Sequence, residues 1–461
     1  MYLNSTYKKL LRDIADATFN SKNSNEYLSF NREDILEIQR EKLTKLLRFV
    51  KSNSKYYADK INDDFEDDVL KAFYDISPLT KKALMANWDD VVADKEITKE
   101  IVEKHLEDVK DGKLKTPIYK DKYIFSASSG SSGLRGLYVH LLDGMVADCK
   151  FVWRTMEGID DEKYDLKKNK KVAVVASSTI LHLGLILRGV VEDDTQLLVL
   201  SADMKANELC EKLNAFKPTH IRAYASAVKL LANEALKGNL SITPKRIVTG
   251  GEVLTAETKR LAKEVWGIHV LQHFGTTETL IIAAESFANE GLVLDEGKCI
   301  IETVDENLNL TDDPEKINKL LVTNLHNYTL PLIRYVIDDI VDIMPPSDDM
   351  PGCRRLRSIK GRSFNYFIYD NDIKISGYVF DILDEDRKVS EYQIYQTKHG
   401  VSINVICEHS FNKDKYINIL LSILNRYGVK NPSVDINIVD FITHEQTGKV
   451  KHIIPLKINN T

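Results

Sequence analysis

The sequence predicts an α/β protein with a large N-terminal domain (1–360), whose mixed and parallel sheets are flanked by helices, and a small mobile α+β C-terminal domain (361–461). Three observations predict this organisation. Between residues 170 and 275, short apolar runs alternate with helical stretches, which is typical of a parallel sheet. After about Asn289 the pattern changes to short antiparallel strands with turns. Beyond Gly361, strand-like runs surround one helical stretch.

Each expected element follows from its residue pattern. Segment 35–61 carries apolar residues at helical spacing, so we expect the N-terminal part to be mainly helical. In the α/β part, the expected strands cover 170–177, 194–201, 219–226, 245–251 and 269–275, and the expected helices cover 205–218, 227–238 and 255–267. In the C-terminal part, the expected strands cover 366–370, 392–397, 401–407 and 433–439, and the expected helix covers 415–428. Because ligands bind beyond the carboxyl ends of parallel strands, functional residues are expected just after those strands.

Length and composition bound the class of protein. At 461 residues the chain is too long for one ordinary core, and its 43% hydrophobic and 29% charged residues are the mixture of a soluble globular protein. The net charge of −6 gives no basic excess for nucleic acid. No window approaches the roughly 18 uninterrupted apolar residues of a membrane-spanning helix. Five scattered cysteines and an N-terminus without a signal-peptide core favour the reducing cytoplasm.

A loop rich in serine and glycine follows an apolar, strand-like run. Segment 126–136 reads SASSGSSGLRG, and its five serines and three glycines supply hydroxyl donors and a backbone that a ligand can approach closely. Successive backbone N–H groups in such a loop form an anion-binding concavity. It is not a Walker P-loop, because no Lys-Ser or Lys-Thr follows Gly133. The loop therefore predicts a phosphate cradle, with a flexible surface linker as the alternative.

Further segments carry polar groups in a defined order. VTGGEVL (248–254) and HFGTTET (273–279) each place glycine and an acid after an expected strand. PLIRYVIDDIV (331–341) carries an arginine and paired aspartates in a strand-like run. Gly361 and Arg362 precede the small domain, and TGKVKHI (447–453) lies near its end.

In this order these motifs resemble those of the adenylate-forming superfamily of acyl-CoA synthetases, luciferases and peptide-synthetase adenylation domains, and within it the phenylacetate–CoA ligase branch. The resemblance runs over nearly the whole chain. It implies ATP-dependent activation of a carboxylic acid, with a small aromatic acid as the first candidate, to an acyl-adenylate with release of pyrophosphate. The acyl group would then pass to the thiol of coenzyme A. ATP, Mg²⁺ and coenzyme A are the implied cofactors.

The resemblance also implies a role for each residue that matches a family motif. The nucleotide-binding set comprises Ser128, Ser129, Gly130, Ser131, Ser132 and Gly133 on the β- and γ-phosphates, Gly250, Gly251 and Glu252 beside the adenine, Phe274, Gly275 and Thr276 in the following motif, and Asp339 on the ribose with Arg362. The catalytic set comprises Thr277 on the α-phosphate, Glu278 as the Mg²⁺ ligand, and Lys449, which would bridge the carboxylate and the ATP oxygens. The candidates for the acyl pocket are Tyr224, Ser226, His273 and His182.

Several of these residues have a structural alternative. Glu278 is also explained as an acid at a helix N-terminus, which the helix dipole favours. Asp339 is also explained, with Asp338, as a solvated pair at the end of a strand. Lys449 lies in a lysine-rich tail, where Lys451 competes for its role. A lone histidine is more often structural than functional.

Departures from the family pattern leave the second half-reaction more open than the first. Arg135 follows the loop where a lysine is usual, and we expect it to replace that cation. Phe274 stands where the family has tyrosine, and Asp338 stands where it has glycine. After Arg362 the family has an acidic pair near the domain hinge, whereas this chain has Ser-Phe-Asn. Only Cys299 lies near the zinc ligands that some relatives carry, so no zinc site is expected.

Two other functions remain open on the sequence. The altered hinge motivates adenylation that loads a carrier protein or an amine without coenzyme A. The missing loop lysine motivates a degenerate ATP-binding protein. The expected partners are a small carboxylic acid and either coenzyme A or a carrier protein, with a homodimer possible on the family pattern, and with no nucleic acid and no membrane.

Overall fold

The computed structural model describes residues 30–114, 116–128, 134–145, 151–152, 155, 171–176, 196–285, 290–348, 351–362, 366–383, 386–443 and 451–456. The described helices are α1 (Arg32–Asn53), α2 (Lys55–Ala58), α3 (Val69–Asp75), α4 (Lys81–Ala86), α5 (Trp88–Val91), α6 (Lys99–Lys110), α7 (Ala206–Phe216), α8 (Ala225–Leu236), α9 (Ala256–Trp266) and α10 (Lys413–Arg426).

The described strands follow helix α6 along the chain, and four of them alternate with helices α7, α8 and α9. They are β1 (Ile118–Tyr119), β2 (Tyr123–Ala127), β3 (Leu137–Leu141), β4 (Lys171–Ala176), β5 (Gln196–Ser201), β6 (His220–Ala223), β7 (Arg246–Gly250), β8 (Val270–Thr276), β9 (Leu280–Glu285), β10 (Leu292–Leu294), β11 (Cys299–Val304), β12 (Lys319–Asn324), β13 (Tyr335–Ile337), β14 (Asp339–Met344), β15 (Arg355–Arg362), β16 (Tyr366–Tyr369), β17 (Ile373–Ser376), β18 (Val389–Thr397), β19 (Gly400–Cys407), β20 (Ser433–Ile438) and β21 (Ile453–Ile454).

The chain divides into two compact units, each built from several segments. The first comprises Met1–Lys168, Thr179–Thr195 and Leu271–Ile359, and the second comprises Asn169–Ser178, Gln196–Val270 and Lys360–Thr461. The division into domains 1–360 and 361–461, and the mobility of the smaller one, stay predictions.

In the first unit, helices α1 to α6 pack with three antiparallel arrangements of strands. These are β1–β2–β3, β11–β12–β13, and a set in which β9 lies between β8 and β10 and β10 pairs with β15. One apolar cluster joins the helices to the strands, and its largest fully buried side chains include Trp88, Phe125, Tyr138 and Tyr335. This core holds β3, β8 and β13 together.

The expected N-terminal helix 35–61 is shorter than its apolar pattern predicts. Helix α1 begins at Arg32 and ends at Asn53, and Ser54 adopts an extended conformation before the short helix α2. The buried Ser54 hydroxyl donates to the backbone oxygen of Asp90 at 2.9 Å. A serine that bonds elsewhere competes with helical hydrogen bonding, which explains the break.

The second unit contains the α/β part that the sequence predicts. Strands β5, β4, β6 and β7 pair in parallel in that order, and helices α7, α8 and α9 connect or follow them. Its C-terminal segment forms a mixed sheet in the order β20–β19–β18–β21, with α10 and the hairpin β16–β17. The predicted α/β class, with an α+β C-terminal part, is confirmed. No helix in the described part of the chain has the length and apolarity to cross a bilayer.

Candidate functional site

The base of the serine–glycine loop is a closed hairpin in the first unit. Strand β2 pairs antiparallel with β3, ending at the pair Ala127 and Leu137. Beyond it, the Ser128 N–H donates to the Gly136 oxygen at 3.0 Å, and the Gly136 N–H donates to the Ser128 hydroxyl at 2.9 Å. Arg135 beside this base is exposed. Ser129, Gly130, Ser131, Ser132 and Gly133 lie outside the described residues, so their role as a cradle stays a prediction.

Gly136 is required by the side chain of Tyr138. A Cβ atom at position 136 would lie 2.1 Å from the Tyr138 hydroxyl oxygen. The tyrosine side chain is fully buried and cannot easily move aside. The chain at the exit of the loop therefore lies directly against the Tyr138 hydroxyl.

Thr277 and Glu278 occupy the turn of the β8–β9 hairpin. The hydroxyl of Thr276 accepts hydrogen bonds from the backbone N–H groups of Glu278 and Thr279, both at 3.3 Å, and so shapes the turn. A Cβ on Gly275 would lie 2.4 Å from the backbone oxygen of Leu280, which explains the glycine. Because a strand follows the turn, the alternative that places Glu278 at a helix N-terminus is wrong.

One carboxylate oxygen of Glu278 has two partners. The Tyr138 hydroxyl donates to Oε1 at 3.0 Å, and the Lys81 ammonium lies 3.4 Å from the same oxygen. No described residue donates a hydrogen bond to Oε2, and the Glu278 side chain is 12% exposed. Glu278 is thus oriented by Tyr138 and Lys81 through Oε1.

A second tyrosine completes this contact. The hydroxyls of Tyr138 and Tyr335 lie 3.0 Å apart. Because Tyr138 gives its single proton to Glu278, Tyr335 must donate to Tyr138. Burial and the nearby Glu278 carboxylate raise the pKa of both phenols well above its usual value, so both stay protonated. The sequence motifs include Tyr335 only as part of PLIRYVIDDIV, and no motif points to Tyr138 or Lys81.

His140 contacts the backbone of Thr277, the other predicted residue of the turn. Its Nε2 lies 2.9 Å from the backbone oxygen of Thr277. Burial lowers the pKa of His140 to about 4, so the ring is neutral at pH 7 and Nε2–H is the donor. Its buried Nδ1 has no hydrogen-bond partner among the described residues. His326 is partly exposed, and desolvation of its ring together with the Lys298 charge lowers its pKa well below the usual value.

Asp339 begins strand β14, two residues after β13, and its side chain is partly exposed. The neighbouring Asp338 lies 3.5 Å from the Lys319 ammonium. Since Tyr335 begins β13, the same short segment contributes both the tyrosine beside Glu278 and the predicted ribose ligand. Asp338 thus has a lysine partner, and the ribose role of Asp339 stays a prediction.

Arg334, in the same motif, is structural. Its guanidinium lies 3.0 Å from Glu302 and donates to the backbone oxygens of Tyr74 and Ile76 at 3.0 and 2.9 Å. Both charged side chains are almost completely buried. This contact fixes the segment that carries Tyr335 to the N-terminal helices.

Five of the residues predicted in the second unit lie at or just after the carboxyl ends of the parallel strands β6 and β7, namely Tyr224, Ser226, Gly250, Gly251 and Glu252. Strand β7 ends at Gly250, and Gly251 adopts φ +82, a conformation that favours glycine. The Glu252 carboxylate accepts from the Ser226 N–H at 2.9 Å in the first turn of α8, whose N-cap is Tyr224. The other Glu252 oxygen is buried without a hydrogen-bond partner in the described part of the chain.

Of the remaining candidates, Phe274 and His273 lie on strand β8. Phe274 belongs to the apolar core of the first unit, whereas His273 is partly exposed. Strand β15 ends at Arg362. His182 and Lys449 lie outside the described residues.

Comparisons with known proteins address the fold. No family model matches the chain. Protein CapK of Staphylococcus aureus is 22% identical over 321 residues, which is 67% of this chain and 63% of CapK, so the match spans less than two thirds of that curated relative. A 2-hydroxyisobutyryl-CoA ligase in complex with R3-HIB-AMP superposes with a TM-score of 0.66 at 15% identity, covering 91% of this chain and 89% of that chain. The amide bond synthetase McbA from Marinactinospora thermotolerans superposes with a TM-score of 0.51 at 15% identity, covering 71% and 67%.

Proposed function

We propose that this chain, which has the fold of the adenylate-forming enzymes, activates a carboxylic acid with ATP and then transfers the acyl group to a thiol. A carboxylate oxygen attacks the α-phosphorus, and the bond from that phosphorus to the bridging oxygen breaks, so pyrophosphate leaves with the electron pair. In the second step the thiol sulfur attacks the acyl carbon, AMP leaves, and the thiol proton passes to solvent. A small aromatic acid and coenzyme A are the first candidates.

One observation carries this proposal: the base of the serine–glycine loop and Glu278 meet through Tyr138. Gly136 lies against the Tyr138 hydroxyl, which donates to Glu278 at 3.0 Å. The serine hydroxyls and backbone N–H groups that the loop sequence supplies suit phosphate oxygens. A carboxylate beside such a loop repels phosphate unless a cation lies between them, so the juxtaposition favours a metal-bound nucleotide.

The residues at this position fit Mg²⁺. Mg²⁺ is usually held by one or two carboxylates together with substrate phosphates and water. Glu278 offers one oxygen that accepts no hydrogen bond from a described residue, on a side chain that is 12% exposed. When bound, the ion would offset the negative charge that the carboxylate and the triphosphate bring together. Glu278 would hold it, and Tyr138 and Lys81 would keep the carboxylate in place.

The other residues keep the roles that the resemblance implies. In the first unit, Ser128 to Gly133 would surround the outer phosphates, Thr277 would hydrogen-bond the α-phosphate, and Asp339 would accept from the ribose. In the second unit, Gly250 to Glu252 would border the adenine. Lys449 would bridge the carboxylate and the ATP oxygens, with Arg362 helping Asp339. A cytoplasmic location and a homodimer belong to the same proposal.

Exchange of labelled pyrophosphate into ATP tests the first half-reaction. We expect exchange that depends on a carboxylic acid, across a panel of aryl, fatty and amino acids, with the highest rate for an aryl acid. Glu278→Gln should lower the rate at low Mg²⁺ by roughly a hundredfold, the order seen when one electrostatic contact to the reacting centre is removed. Glu315→Gln, an exposed acid in a turn of the same unit, is the matched control and should leave it unchanged.

The lysine assignment has its own comparison. Lys449→Ala should abolish exchange while the protein remains folded by circular dichroism, and Lys451→Ala should not. The reverse result would transfer the catalytic role to Lys451. Mg-ATP binding without exchange for every acid in the panel would contradict the enzyme assignment and favour a degenerate nucleotide binder.

The acceptor is decided in a second assay. Purified protein, acid, ATP and coenzyme A should yield an acyl-CoA thioester detectable by mass spectrometry, with no carrier protein present. Acyl-adenylate that persists with coenzyme A but is consumed when a carrier protein or an amine is added would replace the coenzyme A assignment.

A further inference from the structure

Strand β3 presents one continuous face to the Thr277–Glu278 turn. Successive side chains of a strand point to opposite faces, so Gly136, Tyr138 and His140 share one face while the residues between them share the other. Strand β3 is buried at Tyr138 and His140 and pairs with β2, with Tyr138 opposite Ser126 and His140 opposite Ile124. The positions of the two polar side chains are therefore set by a paired strand inside the core.

Both of these polar side chains end on the same turn. Tyr138 donates to the Glu278 carboxylate at 3.0 Å, and His140 donates to the Thr277 oxygen at 2.9 Å. Gly136, at the start of the same face, is the residue that closes the serine–glycine loop. One strand face thus contacts both the loop base and the turn, over only five residues of sequence from 136 to 140.

The hydroxyl of Tyr138 has a second partner besides Glu278. The Tyr335 hydroxyl lies 3.0 Å away, and because the Tyr138 proton is given to Glu278, Tyr138 accepts in this contact. Tyr335 in turn is held by strand β13, where the Val336 N–H donates to the Leu79 oxygen at 3.0 Å. Leu79 lies two residues before Lys81, the other partner of the carboxylate. Of the two described partners of Glu278 Oε1, Tyr138 lies on strand β3, and Lys81 begins helix α4 two residues after the contact of Leu79 with β13.

We propose that Tyr138 and His140 are positioning residues that fix the Thr277–Glu278 turn relative to the serine–glycine loop. Tyr138 orients the Glu278 carboxylate and leaves Oε2 for a ligand. His140 fixes the position of the turn through its hydrogen bond to the Thr277 oxygen. This positioning role does not depend on the reaction that the protein catalyses. The effect of the positioning on Mg²⁺ binding rests on the proposed function.

Simple core packing is the rival explanation for Tyr138. The rings of Tyr138 and Tyr335 pack edge to face with centroids 6.4 Å apart, and phenylalanine would keep that contact. Tyr138→Phe therefore removes only the hydroxyl. If packing alone matters, this variant should behave like any other loss of a buried tyrosine hydroxyl.

Tyr369→Phe supplies that comparison. Tyr369 is a buried tyrosine whose hydroxyl donates to the Gly400 oxygen at 3.0 Å, in the second unit. We expect Tyr138→Phe to speed hydrogen exchange of the peptide spanning 276–280 about tenfold, the order expected when a hydrogen bond to a charged group is lost. Tyr369→Phe should leave that peptide unchanged. Equal exchange in the two variants would overturn the positioning role of Tyr138.

His140 is tested by a conservative rescue. His140→Gln retains an N–H donor near the position of Nε2, whereas His140→Leu removes it at similar volume. We expect His140→Leu to speed exchange of the same peptide and His140→Gln to restore most of the protection. Equal protection in the two variants would remove His140 from the proposal.

A magnesium titration separates this inference from the proposed function. In the pyrophosphate-exchange assay, Tyr138→Phe should raise the Mg²⁺ concentration at half-maximal rate about tenfold, with the rate at saturating Mg²⁺ recovering to nearly that of the unaltered chain. A rate lost at all Mg²⁺ concentrations, or an unchanged midpoint, would contradict the carboxylate-directing role. If the unaltered chain shows no pyrophosphate exchange with any acid, the proposed function fails. The hydrogen-exchange comparison of the variants still decides the positioning role.

Discussion

Arg334 and Glu302 carry opposite charges within the core of the first unit, with 7% and 5% of their side chains exposed. Burial raises the pKa of Glu302, although the Arg334 contact works in the opposite direction. The ionised form of the Glu302 carboxylate therefore depends on its ion pair with Arg334. Arg48 and Glu66 also form an arginine–glutamate pair, with one contact at 2.8 Å, but on the surface. At the residue scale, solvent access decides which of these pairs matters for stability.

Arg334→Met should destabilise the protein by about 3–5 kcal/mol, because it leaves a buried carboxylate without its partner and two backbone oxygens without a donor. Denaturation in urea measures this free energy. Arg48→Met, which removes the same side chain from an exposed pair, should shift the unfolding midpoint little. Similar midpoints for the two variants would show that the Arg334 pair contributes no more than a surface contact.

His140 makes stability depend on pH at the acid side of neutrality. Its pKa is about 4 in the folded chain and near 6.5 in an unfolded one, so between these values the unfolded chain binds more protons. Stability should therefore fall as the pH is lowered from about 6.5 towards 4. For His140 alone, the loss between pH 7 and pH 5 amounts to about 2 kcal/mol.

His140→Gln should remove this part of the pH dependence, since glutamine does not titrate. Urea denaturation at pH 7 and pH 5 would measure the difference for each protein. His326, whose pKa is also lowered, should leave a residual slope of the same sign in the variant. An identical difference in the two proteins would mean that His140 is not neutral at pH 5 in the folded chain.

At the scale of elements, a single carboxylate attaches helix α1 to the strands of the first unit. Glu296 is completely buried and lies 2.7 Å from Arg32, the first residue of α1, and 2.9 Å from Arg354, just before β15. Arg32 also donates to the backbone oxygen of Gly352 at 3.0 Å. The helix start is thus set by a long-range ion pair as well as by its local cap at Asn31.

The two arginines should show non-additive effects on stability. Either Arg32→Met or Arg354→Met leaves Glu296 with one cation and should cost about 1–2 kcal/mol. The double variant leaves a buried charge unpaired and should cost about 4–5 kcal/mol, which is more than the sum of the single variants. Urea denaturation of all three proteins, compared in a double-mutant cycle, gives the coupling. Additive losses would mean that water replaces the missing guanidinium groups.

The elements themselves were largely accessible from the sequence. The expected strand 170–177 is β4, the expected helix 205–218 is α7, and the expected helix 415–428 is α10, each within a few residues. These segments have strong periodicity and glycine, proline or polar boundaries. The end of α1 was not predicted, because the Ser54 hydroxyl bonds to Asp90, a partner that no local pattern reveals.

The sequence motifs identified residues of the candidate site, but they did not reveal the contacts between those residues and the rest of the protein. The sequence identified Glu278 through the Gly-Thr-Thr-Glu segment, and it identified the loop by composition. It did not identify Tyr138, because a tyrosine in an apolar strand is interpreted as a core residue. The contact of Tyr138 with Glu278 also joins residues 140 positions apart. In the sequence, Lys81 is recognisable only as a residue that follows a helix N-cap. Its ion pair with Glu278 likewise depends on the tertiary fold.

At the scale of the whole molecule, the C-terminal segment belongs to the same compact unit as the parallel sheet. Within that unit, Arg387 donates to both oxygens of Glu264 on helix α9, at 3.3 and 2.9 Å. Arg260 binds Glu257 and Glu264 on the same helix. Arg387 and Glu264 are 52% and 40% exposed, so salt and water weaken the attachment.

Arg387→Gln should therefore loosen the C-terminal segment without unfolding the protein. An exposed ion pair contributes less than about 1 kcal/mol, so the midpoint of urea denaturation should barely move. Hydrogen exchange in α9 and in the residues around Arg387 should rise a few-fold, and raising the salt concentration should produce the same rise in the unaltered chain but no further rise in the variant. Lys388→Gln, a neighbouring cation whose ammonium bonds only to the Ser410 backbone oxygen among the described residues, is the control. Equal exchange in the two variants would show that apolar packing alone holds the segment, as the contact between β18 and α8 allows.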